Sequence, residues 1–271
     1  MVTRMDHVVV LVHDLEHCTQ EYRTLGFVVA PGGRHIGFGT ENSLVRFDLD
    51  YIELLGLRDP DEARQGRFGG ETFIETVEAG GGLISYALAT DSLTDDVARL
   101  RAAGVDCSDP FPMRRERPDG VVLEWRLAYP GGPPWGQPLP FLIQWDTPDA
   151  VRLPTAPPQH PLGAGHIARV AVRAKDPEGT AGEYRVLLGR EPVTGRRHRF
   201  QLGQLTIDIL PAGPDPEGIY EVDLAVPMLA IASGYLAERD VDVDHMTDED
   251  GERVAVDPAA ACGARFFLVQ R

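Results

Sequence analysis

Histidines and a carboxylate set in apolar, strand-forming runs are the groups of this chain best suited to chemistry. His7 opens the run His7 to Val12, and Glu53 stands between Ile52 and Leu54 in the run Tyr51 to Leu55. A neutral imidazole and a carboxylate are acceptable ligands for zinc, manganese, iron, nickel or cobalt, and two such groups do not select among them. His35 lies in the glycine-rich stretch Pro31 to Thr40, where a permissive backbone can bend it over the other two. Two histidines and a carboxylate make a facial set that leaves positions open for substrate. Beside a metal-polarised carbonyl, Glu53 could also serve as the base of a proton abstraction. The ordinary alternatives are a hydrogen-bonded core histidine at position 7 and a solvated carboxylate at position 53. Against the second, an unpaired carboxylate buried on an apolar strand is costly. Arg34, Asn42, Tyr86, Trp125 and Trp145 are candidates for the polar contacts and aromatic walls of an organic ligand site, each with an equally ordinary reading as surface or core.

The elements that must position these groups recur along the chain. In the first copy a strand ends at Asp14, which can cap a helix. The helix carries Tyr22 and Leu25 and stops at Gly26, before a strand from Phe27 to Val29. The second copy runs from Leu83 to Thr90, then Asp91, a helix with Val97 and Leu100, and Gly104. The third runs from Ile167 to Val172, then Asp176 and Pro177, a helix with Tyr184, Leu187 and Leu188, and Gly189. Each helix precedes two or three strand-like segments, which gives a βαβββ unit. A fourth, less regular copy extends from Ile219 through a helix between Pro227 and Glu238 to Val269. Between copies two and three lies a proline-rich stretch, poor material for a helix or an inner strand. The expected organisation is therefore residues 1–147, a linker over 148–164, and a second half over 165–271, the last with one clear and one degenerate unit.

Composition narrows the function classes. With 42 acidic and 26 basic residues the formal net charge is -16, which repels a phosphate backbone, so nucleic acid is not an expected partner. Three widely spaced cysteines suggest neither a disulfide framework nor a zinc cluster, and a reducing compartment fits them. The N-terminal apolar run is too short for a signal peptide or membrane span, so a cytoplasmic protein with no membrane partner is expected. Gly80 to Gly82 lack the lysine and serine of a phosphate loop, and the basic run Arg196 to Arg199 reads as a solvated turn.

The segments Asp6 to Val12 with Asp14 and Leu15, Leu25 to Phe27, Pro31 to Asn42, Tyr51 to Leu55 and Pro140 to Trp145 resemble the glyoxalase-like domains of the vicinal oxygen chelate superfamily, over roughly residues 5 to 147. The resemblance implies an α+β fold of βαβββ modules paired into half-open barrels, with a divalent metal and a chelating substrate in the concave sheet. It places ligand slots on the first and last strands of each module: His7, Glu53, Ile84 and Gln144 in the first half. Ile84 cannot donate and Gln144 offers only an amide oxygen, so His35 or solvent is needed to complete a metal set. In the second half the matching positions are Arg169, which cannot ligate a metal, and Asp208, an ion pair that could fill the cup. Two functions stay open: a metal-dependent isomerase, lyase or dioxygenase acting on a small oxygen-rich metabolite, or a metal-free binding or resistance protein of the same superfamily. A homodimer is a further expectation, from sheet edges in each half.

Overall fold

Strand, helix and strand alternate through most of the chain because apolar residues recur with a period of two in the extended runs and close to four between them. The computed structural model describes residues 1–65, 70–196 and 198–271; Arg197 of the basic run lies outside them. The elements in chain order are β1 (Val2–Val12), α1 (Leu15–Thr24), β2 (Ala30–His35), β3 (Thr40–Arg46), β4 (Tyr51–Leu57), α2 (Pro60–Gln65), α3 (Gly70–Glu78), β5 (Gly82–Thr90), α4 (Leu93–Ala102), β6 (Phe111–Glu116), β7 (Val122–Ala128) and β8 (Phe141–Trp145). There follow α5 (Asp149–Arg152), β9 (His166–Ala174), α6 (Pro177–Leu188), β10 (Arg199–Leu202), β11 (Leu205–Pro211), β12 (Gly218–Val226), α7 (Leu229–Ala237), β13 (Val243–Asp248), β14 (Gly251–Val256) and β15 (Phe266–Gln270). No helix among the described residues is long and apolar enough to cross a membrane.

Two of the three expected helix starts are capped as read. Asp14 accepts from the His17 amide at 2.9 Å and Asp176 from the Gly179 amide at 3.0 Å, and α6 ends at Gly189 in the left-handed conformation that glycine adopts without a Cβ clash. Asp91 is not a cap. Ser92 precedes α4, and the Gln144 side chain takes the Leu93 amide at 2.9 Å.

The first eight strands close into a barrel, in the order β1-β4-β3-β2-β6-β7-β8-β5. The expected pairing of two βαβββ modules into a barrel is present, and the barrel is closed: β2 and β6 pair through Arg34 with Glu116 and His35 with Arg115, which joins the two modules edge to edge. The last seven strands form an open sheet, β10-β11-β9-β12-β15-β14-β13. The fourth unit is complete, β12-α7-β13-β14-β15. The third has two strands after its helix among the described residues, the reverse of the expected ranking.

Strand β1 serves both faces of its sheet. Val8, Val10 and Val12 point into a core shared with β9, β12 and α6, while Val9 and Leu11 point into the barrel. The segment 148–164 is packed against both halves. It includes the short helix α5 with Arg152 buried, and His160 bonds the Val28 amide at 2.9 Å and the Arg46 carbonyl at 2.8 Å.

A disulfide joins Cys18 on α1 to Cys262 before β15 across 244 residues of sequence, a pairing that the wide spacing of the cysteines did not suggest. Both cysteines face the shared core, where α1 meets the end of the chain and the Tyr22 hydroxyl donates to the Ala261 carbonyl.

Asp50, in the turn before β4, accepts from the Ile167 amide at 2.7 Å and so ties the barrel to β9. Burial pushes its carboxyl up to about 6, against which the Ile167 hydrogen bond works in the opposite direction. A carboxyl whose folded value lies above its unfolded one supplies stability that is full below pH ~4 and lost as the pH rises through ~6. Asp50→Asn keeps the acceptor without the charge. It is expected to flatten this dependence in urea denaturation and to gain roughly 2 kcal/mol at pH 8; an unchanged pH profile would contradict the assignment.

Candidate active site

The parallel pairing of β1 with β4 sets His7 beside Tyr51 and Val9 beside Glu53. The His7 ring stacks on Tyr51 with centroids 4.6 Å apart, and its Nε2 lies 3.3 Å from Glu53 Oε2. From β3, Asn42 sits diagonally across from Glu53, two residues before its register partner Leu44, and its amide donates to Glu53 Oε1. His35, at the end of β2, has Nε2 3.7 Å from Glu53 Oε1, and its Nδ1 bonds the hydroxyl of its cross-strand partner Thr40 at 2.9 Å. Behind His7, Asp6 holds Nδ1 at 2.8 Å, and Trp145 Nε1 and an Arg4 guanidinium nitrogen each reach the other Asp6 oxygen at 3.0 Å.

These contacts set the charges. Burial alone pushes the Glu53 carboxyl up, but the His7 hydrogen bond, the nearby imidazoles and Asn42 outweigh it and hold the group down at about 2. Burial likewise disfavours the His7 cation, and hydrogen bonds to Asp6 and Glu53 reverse that and raise its pKa. His35 is lowered to about 4, by burial first and by Arg115 and His7 next, against the pull of Glu53. His35 is therefore neutral at pH 7, while His7 is held between two carboxylates.

A small cavity opens over this wall, lined by His7, His35, Tyr51, Glu53, Arg115 and the tryptophans Trp125, Trp135 and Trp145, with Val9, Leu55, Met113, Leu127, Phe141 and Ile143 as apolar floor. Trp125 and Trp145 pack with ring centroids 5.0 Å apart. Such a mixture of an apolar lining and a few convergent polar groups is typical of small-molecule sites.

Of the residues singled out from sequence, His7, His35, Glu53, Trp125 and Trp145 line this cavity, and Asn42 supports Glu53 from the side. Three do not. Arg34 alternates with His35 along β2 and lies in an outer groove beside Glu41 and Arg117. The Tyr86 hydroxyl meets that of Tyr184 in the shared core. Gln144 alternates with Ile143 and Trp145 and bonds the Leu93 amide and, at 3.2 Å, the Asp91 carbonyl. The slot read at Ile84 is also displaced. Irregularities in the β1–β5 pairing set Ala87 opposite His7, with Phe141 on β8 beside Ala87. Sequence reasoning missed Asp6, Tyr51, Trp135 and Arg115. The alternation Phe111, Met113, Arg115 along β6 puts that arginine on the inward face and was a usable signal.

As to a metal, two imidazoles whose Nδ1 atoms are already engaged present Nε2 toward one carboxylate, which is the donor chemistry a divalent ion takes. The nitrogen–oxygen separations of 3.3 and 3.7 Å approach the ~3 Å between neighbouring ligands implied by bonds of about 2.0–2.2 Å. The set is open, however: among the described residues no group of three or more His, Cys, Asp and Glu side chains stands ready to hold a metal ion. In the second half the matching cup is filled by charge, with Arg169 bonded to Asp208 at 2.5 Å and to Glu221 at 2.7 Å, and Arg199 to Asp208 at 2.6 Å.

The model of the glyoxalase-like domain family matches residues 5–188, which takes in both modules of the barrel and continues through α6. The chain belongs to that family. No curated protein matches it in sequence. Among solved structures, a hypothetical protein from Staphylococcus aureus is similar over 98% of this chain and 99% of its own, at a TM-score of 0.70 and 17% identity. A mutant of 4-hydroxymandelate synthase from Streptomyces coelicolor is similar over 100% of this chain and 93% of its own, at 0.60 and 14%. A xylose isomerase-like TIM barrel/4-hydroxyphenylpyruvate dioxygenase fusion protein shares the fold over 100% of this chain and 49% of its own, at 0.56 and 15%. At these identities the likeness is one of fold.

Asp6 is fully buried and serves three donors at once. Asp6→Asn leaves those donors one neutral amide oxygen, and removing one partner of a buried charged set costs roughly 3 kcal/mol. The expected outcome is that loss in urea denaturation, together with a fall in the His7 pKa measured by NMR; an unchanged His7 titration would contradict the arrangement.

Proposed function

We propose that the barrel of this glyoxalase-like protein is the active cup of a divalent-metal-dependent enzyme acting on a small oxygen-rich metabolite by isomerase, lyase or oxygenase chemistry. The observation that supports this most strongly is the convergence of His7 Nε2 and His35 Nε2 on the one buried carboxylate of Glu53. With Nδ1 of His35 engaged by Thr40 and its ring neutral, its Nε2 faces Glu53 Oε1 beyond hydrogen-bond distance, and a cation between them relieves that unpaired contact. His7, His35 and Glu53 would hold the ion, which when bound supplies a Lewis acid for the oxygens of a chelating substrate.

The remaining roles belong to the chain's own residues. Asp6 fixes the His7 ring through its hydrogen bond to Nδ1, which leaves Nε2 turned toward Glu53. Asn42 orients Glu53 through Oε1. An ionised Glu53 can receive a proton at either oxygen from a carbon acid lying over the wall. Trp125, Trp135 and Trp145 exclude water from that space and offer flat surfaces to an organic body.

A second reading, a metal-free binding protein, is favoured by a different observation. Hydrogen bonds to Asp6 and Glu53 raise the His7 pKa and so favour its cation between the two carboxylates, and its neighbours on the adjoining strands, Ala87 and Phe141, offer no further metal donor.

Elemental analysis of protein purified without a chelating tag separates the two. Near-stoichiometric divalent metal is expected, falling at least tenfold in both His7→Ala and Glu53→Gln. Protein that takes up no divalent metal even on reconstitution would sink the enzyme reading and leave the binding one.

A further inference from the structure

Arg115 is among the largest fully enclosed side chains of the molecule, at 2% exposure, yet its charge is not answered by the protein. Its Nε has no hydrogen-bond partner, and among the described residues no carboxylate forms an ion pair with it. Its one ring contact is Trp125, with the guanidinium carbon 6.0 Å from the ring centre. Burial lowers its pKa, against the through-space pull of Tyr51 and Glu53, and a guanidinium remains charged in proteins. A buried guanidinium without a partner is costly, and native interiors rarely leave one so.

Its position gives the missing partner a place. Arg115 lies opposite His35 at the β2–β6 seam and lines the cavity between His35 and Trp125. Two more buried guanidiniums stack on the cavity's aromatic walls without lining it, Arg152 with its Nε bonded to Asp149 at 2.7 Å. Arg46 lies 4.8 Å from the ring centre of Tyr51 and Arg152 4.7 Å from that of Trp145, both rings being cavity walls. Arg46 Nη1 and both Arg152 Nη atoms are likewise without hydrogen-bond partners. The buried carboxylates of this region, Asp6 and Glu53, are already engaged by histidine, tryptophan and asparagine.

We infer that the cavity binds a small organic carboxylate with a flat apolar body, its carboxylate received by Arg115 and its body laid against the aromatic wall that begins at Trp125. A guanidinium presents a planar fork of donors that matches the two oxygens of a carboxylate, and Trp125, which lies beside Arg115, offers an aromatic surface to the body. The inference deepens the proposed function by naming the substrate class, but it rests on the cavity and Arg115 and not on the metal.

The three tryptophans of the chain all line this cavity, so intrinsic fluorescence reports on it directly. Benzoate and its neutral isostere benzamide are the probes, titrated at fixed ionic strength into wild type, Arg115→Lys and Arg115→Met. Benzoate is expected to bind at least tenfold more tightly than benzamide to wild type, with the preference reduced in Arg115→Lys and below twofold in Arg115→Met. Because no carboxylate among the described residues pairs with Arg115 and its Nε is unpartnered, Arg115→Met is expected to melt at or above the wild-type temperature, and benzoate to raise the melting temperature of wild type but not of Arg115→Met. Equal binding of the two probes, no binding of benzoate, a preference that survives Arg115→Met, or a clear loss of stability in that variant would each overturn the inference. Metal content measured on the same samples keeps the two proposals apart: a benzoate preference in protein that takes up no divalent metal even on reconstitution refutes only the metal reading.

Discussion

Glu53 lies on β4 between two fully buried neighbours, Ile52 and Leu54, and is itself 7% exposed. An ionised carboxylate in that setting is tolerated only where charge and hydrogen bonds replace its lost hydration. The two neighbouring strands and the one beyond them supply that replacement: β1 brings His7, β3 brings Asn42 and, next to β3, β2 brings His35. His7 then needs its own counterpart, which is Asp6, and Asp6 draws in Trp145 from β8 and Arg4. One buried charge thus organises contacts around much of the barrel and sets donors of opposite kind over a common space.

The two halves show what the same architecture does with and without such a centre. In the first, the wall around Glu53 faces a cavity with aromatic sides. In the second, Arg169, Arg199 and Arg253 interlock with Asp208, Glu221 and Asp223, a network in which each arginine is met by a carboxylate. Arg115 is the contrast: equally enclosed, on the cavity side of the first half, and without an ion-pair partner among the described residues. A satisfied charge cluster fills a cup, whereas an unsatisfied cation beside a cavity points outward to a ligand. The second half also contributes to the barrel indirectly, because Val8 and Val10 turn their backs on the cavity and pack into the core shared with β9 and β12.

Much of this was legible in the sequence where the cause is local. Asp14 and Asp176 as caps, and Gly26 and Gly189 as helix ends, follow from side-chain and backbone chemistry within a few residues. His7 and Glu53 were found because each sits in an unbroken apolar strand, and His35 because its glycine-rich surroundings set it apart. What failed depends on pairing between distant strands. Irregularities along β1 and β5 shift the partner of His7 to Ala87, and a displacement of one residue on β8 exchanges the inward Trp145 for the outward Gln144. Tyr86 faces the second half because the whole β5 strand carries one face to each core. The Cys18–Cys262 bond spans nearly the full chain, and nothing local to either residue marks the pair.

The convergence of His7, His35 and Glu53 on one point is tested most directly by anomalous diffraction from crystals grown with manganese. The expected result is a single strong peak within about 2.0–2.3 Å of both Nε2 atoms and a Glu53 oxygen. A featureless site in crystals that bind manganese elsewhere, with Glu53 still held between His7 and Asn42, would contradict it and leave the wall as a purely organic binding surface.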